Sequence, residues 1–353
     1  MSFLTKKPFG ITKDNKQATL YTISNQNGMK VSFTDYGANI VEIYVPDKQG
    51  ILKDVVLGYD DVSGYEVNPP AYGSFLGRHA NRIADAKFVV NEIEYHLEQN
   101  DGKNCLHSGS NSYNKYMYQT QCQDGEDGGF VKFSRVSPDM EQGFPGNLEV
   151  SVTYSLTEKN ELKIEYFAVS DKDTVINFTN HSYFNLEGED SESVLKHKVR
   201  IFADQYTETD SELIPTGIFA DVAGTPLDFR EFKEIGKEID ADFPALHYGN
   251  GYDQNFVLHT KRGEVQKVAE LWEEKSGRLM EVFTDLPGLQ FYSSNFLPKE
   301  DHGKGGRKYP SRSGICFETQ FYPNSINMKN VPSGRLAAKE EFKSTTIYKF
   351  NVK

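Results

Sequence analysis

Between residues 147 and 170 the chain reads NLEVSVTYSLTEKNELKIEYFAVS, an alternation that leaves few folds open. Leu148, Val150, Val152, Tyr154 and Leu156 alternate with polar partners, Thr157 to Asn160 supply turn chemistry, and Leu162, Ile164, Tyr166 and Ala168 resume the alternation. A period of two puts every apolar side chain on one face of a strand, so this segment reads as an antiparallel hairpin with one wet face. VAELWEEKSGRLMEVFTD, residues 268–285, repeats the pattern around a Lys275-Ser276-Gly277 turn. Helical signals are few. The best is TPLDFREFKEIGKEID, residues 225–240, where Phe229, Phe232, Ile235 and Ile239 are spaced for one helix face behind Pro226.

Many half-buried strands must bury their apolar faces sheet against sheet. The expected fold is therefore all-β, a large antiparallel β-sandwich with short helices in its connections. No Pro/Ser/Gly linker, low-complexity run or fixed-period repeat breaks the chain, so one domain over 1–353 is expected.

Charge narrows the partners. Fifty-one acidic against 39 basic residues give a net charge of −12, which disfavours nucleic acid and anionic membranes and suits a neutral small molecule. Cys105, Cys122 and Cys316 form no C-x-x-C and no even framework, so a reduced, cytoplasmic setting is expected. Neither an export signal nor an 18-residue apolar span is read in the sequence.

GxGxxG, GxxxxGK[ST], HExxH and GxSxG are all missing, and the eight histidines show no i, i+4 pair or tight cluster, so no cofactor and no metal site are expected. What remains is a scattered polar set. His181 lies in NFTNHSYFNLEG, a segment that is neither helix nor plain strand, where a satisfied core histidine is the ordinary explanation. Arg78, Asn81 and Arg82 fall in GRHANRI, and His107 in the turn-like NCLHSG. Asp253 precedes a strand in NGYDQNF, where an Asx-turn is the default, and Gln290 sits between Leu289 and Phe291. Glu318 follows Ile315, Cys316 and Phe317, and a carboxylate buried in such a run must be paired, hydrogen-bonded or kept for proton transfer.

Taken together these segments resemble the aldose 1-epimerase, or galactose mutarotase, family. DYGANIVEIYVPDKQG, LGYDDVSGY, GRHANRI, NCLHSG, NHSYFNL, LIPTG, TPLDFR, NGYDQNF, PGLQFYSSNF and CFETQFYPNSIN occur in that family's order over nearly the whole chain. The resemblance implies a galactose mutarotase-like sandwich that interconverts the anomers of free aldohexoses, galactose or glucose, without a cofactor. By motif position it makes His181 the general acid at the ring oxygen and Glu318 the base at the C1 hydroxyl. It makes Arg82, His107, Asp253 and Gln290, with Asn81 beside them, the residues that hold the sugar. The two catalytic groups are expected to face each other across one hollow at a pyranose-sized separation. Each is expected near its reference pKa, about 6.5 for histidine and about 4.3 for glutamate. Four departures from the pattern, His79, Ile218, Gln254 and Leu286, leave the preferred aldose open, and either a monomer or a homodimer is compatible. A hexose-6-phosphate mutarotase, needing an extra cationic pocket, and a non-catalytic sugar binder are the competing readings.

Overall fold

A computed structural model describes residues 3–125 and 129–353. Three antiparallel sheets carry most of the chain. The first is N-terminal and five-stranded, running in sequence order from Phe3–Ile11 to Leu52–Asp54. The second, nine-stranded, sets Glu341–Val352 at its centre between Glu161–Ser170 and Arg278–Thr284. The third orders Pro215–Asp221, Gln205–Thr209, Asp253–Val257, Gly288–Tyr292 and Cys316–Gln320.

Both expected hairpins form. Leu148–Leu156 pairs with Glu161–Ser170 in a register that sets Tyr154 opposite Ile164 and Val152 opposite Tyr166, all buried. Thr157 closes the turn: its Oγ1 accepts the N–H groups of Lys159 and Glu161. In the second hairpin, Gln266–Trp272 and Arg278–Thr284 meet at Gly277, whose φ of +74° suits glycine, and an added Cβ there would stand 2.9 Å from the Lys353 carbonyl.

Apolar rows from all three sheets merge into one continuous core, in which Phe33 stacks on Tyr154 at 4.6 Å and Phe291 meets Phe317. Burying each such aromatic stabilises by about 1.5–3 kcal/mol. Arg278 crosses between the sheets fully buried, with Nε donating to Val45 O, Nη1 to Leu186 O and Nη2 to Ile51 O. Each of its three guanidinium nitrogens thus finds a carbonyl, which offsets the cost of burying the charge.

The helix expected over 225–240 does not form. Phe229, Ile235 and Ile239 are buried as expected and Phe232 is half-buried, but Lys233–Glu234 pairs as a strand with Lys198–Val199, and only a 3-10 turn, Ile235–Lys237, follows. Gly236 N–H is taken by Leu195 O and the Lys233 ammonium by Pro226 O. Tertiary pairing outcompetes a segment whose helix propensity is weakened by Gly236. The α-helices among the described residues are Val62–Val67 and Pro244–Gly249, both short and in connections. No helix there is long and apolar enough to cross a membrane.

Candidate active site

The third sheet forms the floor of a pocket of about 200 Å³. Its strand register builds a grid: Asp253 pairs with Tyr292 and Tyr292 with Cys316, while Asn255 pairs with Gln290 and Gln290 with Glu318. Directly paired residues on antiparallel strands point to the same face, so Asp253, Gln290, Tyr292, Cys316 and Glu318 all project together. Phe256, Leu289, Phe291 and Phe317 alternate to the other face and enter the core. The apolar neighbours of Gln290 and Glu318 in sequence are thus their anchors.

Separate elements complete the walls. Thr179–His181 pairs with Ser74–Leu76 and brings His181 over the sheet, its ring stacked on Tyr183 at 5.0 Å. Arg82 pairs with Leu106, which places the loop residues Asn81 and His107 side by side. These two lock each other: Asn81 N–H donates to Nδ1 of His107, and His107 N–H to the Asn81 carbonyl. Asn81 and His107 both take positive φ, 62° and 52°, conformations that asparagine and histidine adopt more readily than branched residues.

Seven of the eight polar residues singled out in the sequence, Asn81, Arg82, His107, His181, Asp253, Gln290 and Glu318, line this one pocket. Arg78 does not. It is buried elsewhere, its Nη1 donating to Pro145 O and Gly146 O and its Nη2 to Ser137 Oγ, so of the two arginines in GRHANRI only Arg82 reaches the site. Sequence reasoning left Pro69, Pro70, Tyr183, Tyr292 and Phe296 without a role, although they form the apolar wall. Their signal was the same period of two: Tyr183 lies two residues from His181, and Tyr292 two from Gln290.

The expected spacing of acid and base is corrected. Nε2 of His181 is 3.5 Å from Oε1 of Glu318, so the groups stand side by side and do not flank a ring. Their expected titration is corrected as well. Only 5% of His181 and 2% of Glu318 is exposed. Burial pulls the imidazole down to about 4 and pushes the carboxyl well above its usual range, helped by the nearby Asp253 charge and opposed by Arg82. Burial in the pocket therefore favours the uncharged pair, a carboxylic acid beside a neutral ring.

Around this pair the polar groups are ordered. Gln290 Nε2 donates to Asp253 Oδ1 at 2.6 Å, and Arg82 bridges Asp101 through Nε at 2.8 Å and approaches Asp253 at 3.9 Å. Gln290 Oε1 and Glu318 Oε2 are buried with no hydrogen-bond partner among the described residues. Such acceptors call for donors from a ligand, and hydroxyl groups supply them.

His107, His181 and Glu318 also offer metal-ligand atoms within 4.8 Å of one another. A cation fits them poorly: Nδ1 of His107 already accepts an N–H, so the neutral ring carries its proton on Nε2 and presents a donor. A larger open groove of about 1160 Å³ passes Lys198, Arg230 and Lys233, but their charges are matched by Glu274, Asp228 and Glu238.

The family model for aldose 1-epimerase matches residues 19–349. The chain belongs to the aldose 1-epimerase family. It is 42% identical to the galactose mutarotase of Homo sapiens over 324 residues, 92% of each chain. It is 35% identical to the aldose 1-epimerase of Escherichia coli K12 over 342 residues, 96% of this chain and 97% of that one. Among solved structures, the galactose 1-epimerase of Lactobacillus acidophilus aligns with a TM-score of 0.88 at 27% identity, covering 100% of this chain and 99% of that one. Membership makes the chain an isomerase and accounts for its sandwich fold.

The four departures from the family pattern lie outside the pocket. Gln254 faces away from the grid and donates to Ala245 O. Ile218 is exposed on an edge strand, Leu286 is buried, and His79 is buried with neither ring nitrogen hydrogen-bonded among the described residues.

Proposed function

We propose that this chain interconverts the α and β anomers of free aldohexoses, with galactose and glucose as reference substrates, by opening and reclosing the hemiacetal ring. The observation that carries the reading is the 3.5 Å separation of His181 Nε2 and Glu318 Oε1. In a pyranose the C1 hydroxyl and the ring oxygen are both bonded to C1, so a base for one and an acid for the other must stand adjacent.

The steps balance with one proton held by the pair. Glu318 as carboxylate takes the O1 proton, the C1 to ring-oxygen bond breaks as the C1 carbonyl forms, and His181 as imidazolium protonates the ring oxygen. The pair is then neutral, the state that burial favours, and it accompanies the open-chain aldehyde. Rotation about C1–C2 presents the other face, and the same transfers run backwards to close the ring. Arg82 supports the carboxylate stage, opposing the burial that favours the neutral one.

Arg82, Asp253, Gln290 and the Nε2–H of His107 hold hydroxyls, while Asn81 orients His107 and Arg82. Free sugars are favoured over sugar phosphates: Arg82 is already engaged by Asp101 and Asp253, and no other lysine or arginine lines the pocket among the described residues. The reading extends to a single domain over 1–353, working as monomer or homodimer in the cytoplasm. Three free cysteines suit a reducing compartment, and cell fractionation with sedimentation analysis tests both points.

The deciding experiment is polarimetry on freshly dissolved α-D-galactose, α-D-glucose and glucose 6-phosphate. Accelerated mutarotation of the free sugars is expected. Sugar binding without acceleration would leave only a binding protein, and a preference for the phosphate would overturn the substrate.

A further inference from the structure

Cys316 and Glu318 stand two residues apart on one strand and point to the same side of the sheet. Between them they meet both nitrogens of a single ring. Sγ of Cys316 lies 3.4 Å from Nδ1 of His181, and Oε1 of Glu318 lies 3.5 Å from Nε2. The acid-base scheme makes no use of Cys316, although it is fully buried beside the reacting pair. We propose that Cys316 is a positioning residue whose sulfur accepts the Nδ1–H of His181, holding that proton in place so that Nε2 alone exchanges protons with Glu318 and the sugar. This rests on the reading of His181 as the proton-transfer group.

The chemistry of the ring requires such a partner. His181 can cycle between imidazolium and neutral imidazole through Nε2 only if Nδ1 keeps its proton. If the thiol instead donated to Nδ1, the neutral ring would carry its proton on Nε2, and giving it up would leave an imidazolate. That anion is out of reach near neutral pH.

Sulfur is also the right strength of acceptor. A carboxylate at Nδ1 would stabilise the imidazolium and hold the exchanging proton on His181. A thiol is a weak, uncharged acceptor, and burial keeps Cys316 protonated by pushing its pKa well above the ordinary thiol range. The other titratable groups against the ring are His107 edge-on at 5.4 Å, Tyr183 stacked at 5.0 Å and Tyr292 at 6.3 Å. Burial holds these three uncharged. Glu318 is therefore the one carboxyl in direct contact with the ring among the described residues.

The test uses the full chain labelled with ¹⁵N-histidine, comparing wild type with Cys316→Val, Cys316→Ala and Cys316→Ser. Two-bond ¹H–¹⁵N spectra should show neutral His181 as the Nδ1–H form in the wild type. Removing the acceptor in the Val or Ala variant should lower kcat about 3- to 10-fold, the effect of one lost hydrogen bond, with KM within about twofold. The acid limb of the pH-rate profile should move to lower pH, because the imidazolium loses support. Cys316→Ser, which restores an acceptor, should recover most of the rate. An Nε2–H form in the wild type overturns the proposal, as does an unchanged kcat and pH profile in a folded Val or Ala variant. If the wild type opens no aldose ring, the functional reading fails, and the spectrum alone still decides the role of the sulfur.

Discussion

Gln290 and Glu318 face each other across adjacent antiparallel strands, and Gln290 in turn donates a 2.6 Å hydrogen bond to Asp253. The amide therefore stands between two buried carboxyls, an arrangement that keeps Asp253 hydrogen-bonded and prevents a third charge from crowding the site. Burial already raises both acids, and each is raised further by like charge nearby, Asp101 for Asp253 and Asp253 for Glu318.

Gln290→Glu tests this spacing. A third carboxyl adds like charge beside Glu318 and pushes its pKa higher still, so the ionised base becomes scarcer at neutral pH. The rate at pH 7 is expected to fall, and the pH-rate profile to move toward alkaline pH. A profile that stays in place while the rate falls would mean that the amide acts only by holding sugar.

His181→Asn and Glu318→Gln separate chemistry from folding. Each removes one partner of the proposed proton exchange, and loss of a positioned acid or base typically costs about 10²- to 10⁴-fold in kcat. Stability should not suffer in Glu318→Gln, because the wild-type carboxyl is buried with Oε2 unpartnered among the described residues. Melting temperature and kcat measured on the same samples are expected to diverge. Near-full turnover in either variant would remove the pair from the mechanism.

The strands of this fold are legible in sequence because alternation is local; the site grid is not. Nothing in CFETQ or PGLQFY announces that Glu318 and Gln290 are paired, since register depends on strand order and on turns far away in the chain. The same non-local pairing defeats the helical reading of 225–240: its apolar residues are buried, but the backbone of Lys233–Glu234 is claimed by Lys198–Val199. Reference pKa values fail for a related reason. His181 and Glu318 look ordinary in their segments and become exceptional only where three elements bury them together. The motif order, by contrast, picks out seven residues that line one pocket, because it records positions whatever their separation in the chain.

His79 provides a prediction about stability. Its ring is fully buried, neither nitrogen has a hydrogen-bond partner among the described residues, and burial pulls its pKa from the ordinary 6.5 down to about 4. Between those two values the unfolded chain binds a proton that the folded protein refuses. The unfolded state is therefore favoured progressively as pH falls below 6.5, and the penalty stops growing below about 4. For one such group the loss by pH 5 is about 2 kcal/mol. Replacing His79 with valine removes this term and the unsatisfied nitrogens together. Denaturant titrations of wild type and His79→Val should thus give a stability difference that grows by about 2 kcal/mol in favour of the variant between pH 7.5 and pH 5. Comparing the two proteins cancels His181 and His197, both also held near 4, and the opposing contribution of Asp54, raised to about 6. A difference that stays constant with pH would mean that the folded protein accommodates a protonated His79, and the buried ring would then need an acceptor such as an ordered water.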